Sequence, residues 1–451
     1  MPLKSYDLIV VGTGSAASAV AYRCRREKWT VAVIDSRPFG GTCALRGCDP
    51  KKVLLAAAEA LYWGQRLSGR GVQPGDARID WRELMAFKRT FTDPVPENNE
   101  QWFAKAGIDA FHGRAKFVGP TSIQVGEDIL EAEHVVIASG AVPAKLGFSG
   151  ENHLITSEDF LELEELPERI TFVGGGYISM EFASVSVRAG AKVTVLHRGP
   201  RPLRDFDPDL ADKVAEATRA SGVDLRLNTQ VESIDKIAAG FVVNTSGPEG
   251  AGALETNVVV HGAGRVGEID DLDLATAGVE RGRRGVVVNE YLQSISNPAV
   301  YAAGDAAETT GLPLTPVAGL EGSVVAENLL NGNKTRPDYR GTPTVAFTLP
   351  PIAAVGLGEE EARKQGLKFR VNYQDTHSWF SSRRLGEKYS ASKVLIEDGT
   401  GKILGAHLLG PSADELINFF ALAIRRGLTG EDLTDVAFAY PTHASDMSYM
   451  V

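Results

Sequence analysis

The 451-residue chain predicts an α/β protein of two doubly wound domains followed by a smaller α+β domain. Three observations carry that expectation. A short β-branched run near the start ends in Gly-Thr-Gly and passes into a small-residue helix, the order of a strand–turn–helix unit. A similar unit returns 162 residues later, too long a spacing for a repeat array and suited to a second separate domain. From about residue 340 the pattern changes to short alternating strands and one amphipathic helix, as in an antiparallel sheet with a helix on one face.

The first unit reads YDLIVVGTGSAASAVAYRCRREKWTVAVID, with a strand ending at Val11, a helix to about Trp29 and a second strand ending at Asp35. Gly12 and Gly14 occupy the turn, where bare backbone and unpaired helix N–H groups accept a pyrophosphate. Asp35 follows at the distance at which a carboxylate meets a ribose hydroxyl in Rossmann-like nucleotide-binding domains. The second unit carries Gly174, Gly176 and Ser179 in ERITFVGGGYISMEFASVSVRAGAKVTVLHR. Between the two lies a helical region, 51–107, broken near Gly69–Gly75, then short strands leading to HVVIASGAVP. After the second come two strands around GPEGAG, and then VVVHGAGRVGE and VYAAGDAAE.

Composition excludes several classes. With 47 Lys+Arg against 58 Asp+Glu the formal net charge is −11, unfavourable for nucleic acid or anionic membranes. No apolar run approaches the ~18 residues of a membrane span, and the first strand lacks the flanks of a signal peptide. Three cysteines do not make a secreted disulfide scaffold, so a cytoplasmic address is expected and a close pair of cysteines reads as chemical. The scattered histidines form no zinc motif.

Cys43 and Cys48, in GGTCALRGCDPKKVLLAAAEALY, bracket a glycine turn, and Pro50 marks the first turn of a helix. A helix N-terminus lowers the pKa of a nearby thiol, so Cys48 is placed to be a thiolate and the two form a candidate redox pair. Cys24, mid-helix among alanines, reads as core.

Taken together, these motifs resemble the flavin-dependent pyridine nucleotide–disulfide oxidoreductases, the family of glutathione reductase, dihydrolipoamide dehydrogenase and mercuric reductase, collinearly from residue 6 to about 445. The resemblance implies an FAD-binding domain at 1–148 and 265–338, a nicotinamide-binding domain at 149–264 and a C-terminal dimerisation domain at 339–451. It implies FAD contacts at Gly12, Gly14, Ser15, Ala16, Asp35, Gly41, Thr42, Ser139 and Gly140, with Gly304 and Asp305 toward the ribityl chain. Leu314 and Thr315 would lie at the flavin edge. The redox disulfide would be Cys43–Cys48, Cys48 against the flavin and Cys43 as interchange thiol. Lys51 or Lys52 would pair with Glu181. By the same resemblance Gly174, Gly176, Gly264 and Arg265 would belong to the cofactor turns, and Tyr177 would gate the nicotinamide.

The end of the strand VTVL offers no acid for a ribose 2′-hydroxyl but three cations, Arg198, Arg201 and Arg204, which favours NADPH over NADH. Arg198 and Arg204 match the glutathione-reductase-like pair. The family's His-Pro-Thr-x-x-Glu signature is altered. Tyr440 stands at the histidine position and Ser445 at the glutamate position. A phenol, with an ordinary pKa near ~10, donates a hydrogen bond more readily than it accepts a proton at neutral pH. Three readings follow. Tyr440 reaches the partner's site as a hydrogen-bond donor in disulfide reduction; the chain is a mercuric, soft-metal or quinone reductase; or His443 with Asp446 replaces the lost dyad. The C-terminal Ser448–Val451 lacks the extra cysteine pair of mercuric reductases. A catalytically weakened flavoprotein acting as a redox sensor is a further alternative. The main expectation is a homodimeric, FAD-dependent NADPH oxidoreductase acting on a small-molecule disulfide.

Overall fold

In the computed structural model, which describes residues 4–451, the run KSYDLIVV forms strand β1 (Lys4–Val11) at the centre of a seven-stranded sheet. Leu8, Ile9 and Val10 are fully buried, as a strand covered on both faces requires. After helix α1 (Ser15–Arg26), strand β2 (Val31–Asp35) pairs parallel on one side of β1, and Asp128–Ile137 pairs parallel on the other. Asp109–His112 extends the sheet beyond β2, and Val300–Ala302 lies parallel to Asp128–Ile137. α1 ends at Arg26 rather than near Trp29. A short α2 (Gly41–Arg46) precedes the helical region expected at 51–107, which resolves into α3 (Cys48–Arg66) and the helices Trp81–Thr92 and Val95–Ala106.

The chain divides into two compact units. The first comprises Met1–Lys51, Phe87–Ala144 and Arg265–Tyr339. Its helix Thr315–Asn331 packs on α1 through small residues: a Cβ on Gly322 would lie 2.4 Å from the Ala16 carbonyl oxygen, so only glycine admits this approach. Cys24 is fully buried in the same cluster.

The second unit comprises Lys52–Ala86, Lys145–Gly264 and Arg340–Val451. Its four-stranded parallel sheet has the order Asp224–Arg226, Lys192–Leu196, Arg169–Val173, Val258–His261. The strands Gly240–Gly247 and Gly250–Thr256 form the hairpin expected around GPEGAG. The C-terminal segment builds a five-stranded antiparallel sheet with Ile403–Leu409 at its centre. Helix Ala413–Arg426 covers it, burying Leu416, Ile417 and Phe420 against Val394, Ala406 and Leu408. His443 precedes a short 3-10 turn, Ala444–Asp446, followed by the helical turn Met447–Met450. Among the described residues no helix is long and apolar enough to cross a membrane.

Candidate active site

The first unit gathers most of the predicted FAD residues into one cradle. Gly12 has φ +113°, and a Cβ there would lie 2.2 Å from the Ala138 carbonyl oxygen. A Cβ on Gly41 would lie 2.5 Å from the Gly14 Cα. Both turns are therefore bare backbone brought close together, and Ser15 and Ala16 open the helix behind them. Asp35 ends β2 with its carboxylate held in place. Thr13 Oγ1 donates to it at 2.7 Å, and the Arg37 N–H donates at 3.0 Å. Thr13 Oγ1 also accepts from the Gly40 N–H at 3.2 Å, so one hydroxyl fixes the acid against the approach to the cysteine loop. Thr42 follows Gly41 in α2.

Beside the Gly12 turn, Ser139 Oγ donates to the Glu268 carbonyl at 2.7 Å, and the Glu268 N–H donates to the Gly140 carbonyl at 2.9 Å. The Arg265 guanidinium donates to the Ala141 carbonyl. Asp305 lies in the short turn Gly304–Ala306, where burial pushes its carboxyl up and the Arg265 charge opposes the shift. Glu321 holds that turn: its carboxylate accepts from the Gly304 N–H at 2.7 Å, Thr309 Oγ1 at 2.9 Å and the Tyr339 hydroxyl at 2.6 Å. Sequence reasoning passed over Glu321 and Thr13. The signal for Glu321 is an acid within the apolar run of Thr315–Asn331, where burial demands several donors.

The cysteines are both thiols, Cys48 accessible and Cys43 partly so. Cys48 opens α3. Its thiol is pulled down chiefly by the hydrogen bond from Cys43, with further help from the Thr315 hydroxyl and the Lys51 charge, against the cost of burial. Cys43 is driven up chiefly by donating that hydrogen bond and then by burial. Thr315 Oγ1 lies 3.7 Å from Cys48 Sγ, one residue after Leu314, the N-cap of its helix. Asp49 Oδ1, which the sequence reading left aside, lies 3.8 Å from Cys43 Sγ. The surroundings thus favour the charged form at Cys48 and the neutral form at Cys43, the division needed in a reduced exchange pair.

The second unit holds the other predicted residues. A Cβ on Gly174 would lie 2.4 Å from the Gly262 carbonyl oxygen, and Gly176 caps the helix Tyr177–Arg188. Tyr177 is 44% exposed at its start. His197 Nδ1 accepts from the Gly175 N–H at 3.0 Å, and burial pushes this imidazole down, keeping it neutral. Arg198, Arg201 and Arg204 are all exposed; Arg201 is engaged by Asp212 at 2.8 Å, and Arg204 Nε lies 3.4 Å from Asp205. Gly264 has φ +118° and open space where a Cβ would stand. Glu181 is 1% exposed, and its carboxylate accepts from the Phe347 N–H at 2.7 Å. The Lys52 ammonium lies 4.0 Å from the Phe347 ring centroid and 3.9 Å from Glu59.

Within this unit the two candidates for the missing histidine differ. Tyr440 is 84% exposed. His443 instead lines a cavity of about 30 Å3 with Trp379, Ser382, Ser390 and Asp446, and burial keeps its imidazole neutral. Among the described residues no group of three His, Cys, Asp or Glu side chains could hold a metal ion.

A glycine cradle with an anchored acid, a dithiol at a helix start and a second glycine turn followed by exposed arginines all meet in one chain. Residues 6–322 match the family model described as pyridine nucleotide-disulphide oxidoreductase, and residues 342–451 match the dimerisation domain of the same family. The chain belongs to this family.

Among its relatives, mercuric reductase of Staphylococcus aureus is 32% identical over 448 residues, covering 98% of this chain and 81% of that protein. Glutathione reductase of Burkholderia cepacia is 31% identical over 450 residues, covering 99% and 98%. A similar solved structure is the HOCl-induced flavoprotein disulfide reductase RclA from Escherichia coli, also solved as a Cu(II) complex. It has a TM-score of 0.87 and 27% identity, and the match covers 99% of each chain. This oxidoreductase is accordingly an FAD enzyme with a nicotinamide electron donor, acting at a redox-active cysteine pair, and its dimerisation domain supports a homodimer.

Proposed function

We propose that this oxidoreductase uses NADPH to reduce a small-molecule disulfide through Cys43 and Cys48. The observation that carries the reading is the pair of accessible thiols across the α2–α3 turn, Cys43 3.8 Å from Asp49 and Cys48 3.7 Å from Thr315 Oγ1, in the unit that also supplies the glycine cradle and Asp35. Bound FAD supplies two-electron transfer between the nicotinamide and the sulfurs. Gly12, Gly14, Ser15, Ala16, Gly41 and Thr42 would hold its pyrophosphate, Asp35 its ribose, and Asp305 its ribityl chain. Residues 149–264 would bind NADPH, with Arg198 and Arg204 on the 2′-phosphate and Tyr177 over the nicotinamide pocket. Residues 339–451 would form the dimer interface.

The chain's own chemistry then runs as thiol–disulfide exchange. Cys43 gives up its proton and attacks one sulfur of the acceptor, and the first product thiol leaves with a proton. The Cys48 thiolate attacks Cys43, releasing the second thiol, which takes its proton from solvent, and the Cys43–Cys48 bond closes. Lys51, whose charge acts on Cys48, is the better candidate than Lys52, whose ammonium is engaged by Glu59 and Phe347. Tyr440, exposed where His443 is turned inward, would reach across the dimer as a hydrogen-bond donor to the departing thiolate. Reduction of a thiophilic metal ion by the same sulfurs is a second reading, favoured by the exposed phenol at the histidine position and by relatives named mercuric reductase.

The test is anaerobic NADPH titration of the holoenzyme. Two-electron reduction should give a broad long-wavelength band from the Cys48 thiolate beside oxidised flavin. Cys48→Ser should abolish the band while flavin stays bound, and a band that persists refutes the assignment. A panel of disulfides and thiophilic metal ions then separates the two readings.

A further inference from the structure

Asp49 sits beside the reactive sulfur, and the exchange chemistry assigns it no step. Its position follows from local structure: Cys48 opens α3, Asp49 is the acid of that helix's first turn, and Cys43 lies in the preceding helix. The carboxylate is exposed, and its Oδ1 lies 3.8 Å from Cys43 Sγ. An acceptor reaching Cys43 therefore meets a fixed negative charge at contact distance. Lys51 acts on Cys48. The Lys52 ammonium faces Glu59 at 3.9 Å and the Phe347 ring at 4.0 Å.

We propose that Asp49 is a specificity-determining residue that selects cationic over anionic acceptors at Cys43. This rests on the proposed reduction at the Cys43–Cys48 pair and adds the charge class of the substrate. A unit charge a few ångströms from a charged acceptor changes its local concentration about five- to tenfold under near-aqueous screening, in opposite directions for the two signs. The preference shrinks with ionic strength, because an exposed carboxylate is screened.

Two disulfides of opposite charge provide the test on the holoenzyme with NADPH: cystamine, a dication, and 5,5′-dithiobis(2-nitrobenzoate), a dianion. Asp49→Asn should raise kcat/KM for the dianion and lower it for the dication, moving their ratio at least ~tenfold. Asp49→Glu should keep the wild-type ratio, and 0.5 M salt should compress it. A ratio unchanged within twofold in Asp49→Asn overturns the proposal. A second readout needs no turnover. The reduced holoenzyme is alkylated with neutral iodoacetamide or anionic iodoacetate, and the label at Cys43 is quantified by tandem mass spectrometry. The neutral-to-anionic rate ratio should fall about fivefold in Asp49→Asn. If no variant turns over any disulfide, the exchange reading fails. The alkylation ratio then decides for Asp49 alone: a fall supports the charge role and a constant ratio overturns it.

Discussion

Lys393 tests whether the loop bearing Arg198, Arg201 and Arg204 is held by a buried ion pair. It sits in the strand Ala391–Glu397, whose first six residues are all buried, and its side chain is 5% exposed. Nζ donates to Asp207 Oδ2 at 2.8 Å and to Asp209 Oδ2 at 2.5 Å, with Glu359 at 3.8 Å. Asp207 is itself the N-cap of the helix Pro208–Ala220, accepting from the N–H groups of Asp209 and Leu210. It also closes the loop that carries Arg198, Arg201 and Arg204. Lys393→Met leaves the Asp207 carboxylate buried without its cation, which costs about 3–5 kcal/mol. That corresponds to a fall of roughly 5–10 °C in the melting midpoint for a unit of this size. Asp207→Asn in the same chain removes the stranded charge and keeps a good N-cap, so the double variant should recover most of the loss. The pH dependence has a defined sign. Burial lowers the Lys393 pKa, but the hydrogen bonds to Asp207 and Asp209 outweigh it and hold the value above the ordinary lysine range. Its stabilisation is therefore complete below the unfolded value of about 10.4 and is lost as pH rises through the folded one. Urea unfolding of the three proteins from pH 7 to 11 is the assay. A loss under 1 kcal/mol at pH 7, or a double variant no more stable than Lys393→Met, would refute the reasoning.

Two further outcomes follow from the glycine turns and the arginines. Gly12→Ala places a methyl 2.2 Å from the Ala138 carbonyl oxygen at a φ of +113°, so the purified protein should carry less than about a tenth of the wild-type flavin by absorbance. A fully yellow variant would remove that turn from the cofactor site. Arg198→Ala with Arg204→Ala should lower kcat/KM for NADPH at least ~tenfold and leave NADH within twofold, since only the 2′-phosphate loses its charge-assisted partners. Equal losses with both nucleotides would show that the arginines serve the loop instead.

The parts of this molecule legible in its sequence are those fixed by local backbone chemistry. The two glycine turns, the strand ending in Asp35 and the cysteine loop each declare themselves because a positive φ, an edge acid or a helix start permits few residue types. The hairpin at 247–250 and the helix Ala413–Arg426 were equally plain, from turn residues and from a one-sided apolar stripe. What stayed hidden depends on contacts between distant segments. Glu321 gathers donors from residues 304, 309 and 339, and Lys393 meets acids 184 and 186 residues away. No window of sequence contains both halves of such a pair. His443 was open to a catalytic reading because its spacing from Asp446 is helical, yet packing turns it toward a cavity within its own unit.

The altered C-terminal signature and Asp49 bear on one quantity, the ease with which Cys43 becomes a thiolate. On the proposed reading Tyr440 would offer a hydroxyl where an imidazole would accept the proton, and the Asp49 carboxylate, 3.8 Å from Cys43 Sγ, opposes negative charge on that sulfur. Both would act against a free thiolate at Cys43 and would leave Cys48, assisted by Thr315 and Lys51, as the main reservoir of charge. On the charge role proposed for Asp49, a cationic acceptor would bring its own positive charge to Cys43 and offset this, whereas an anionic one would add to it.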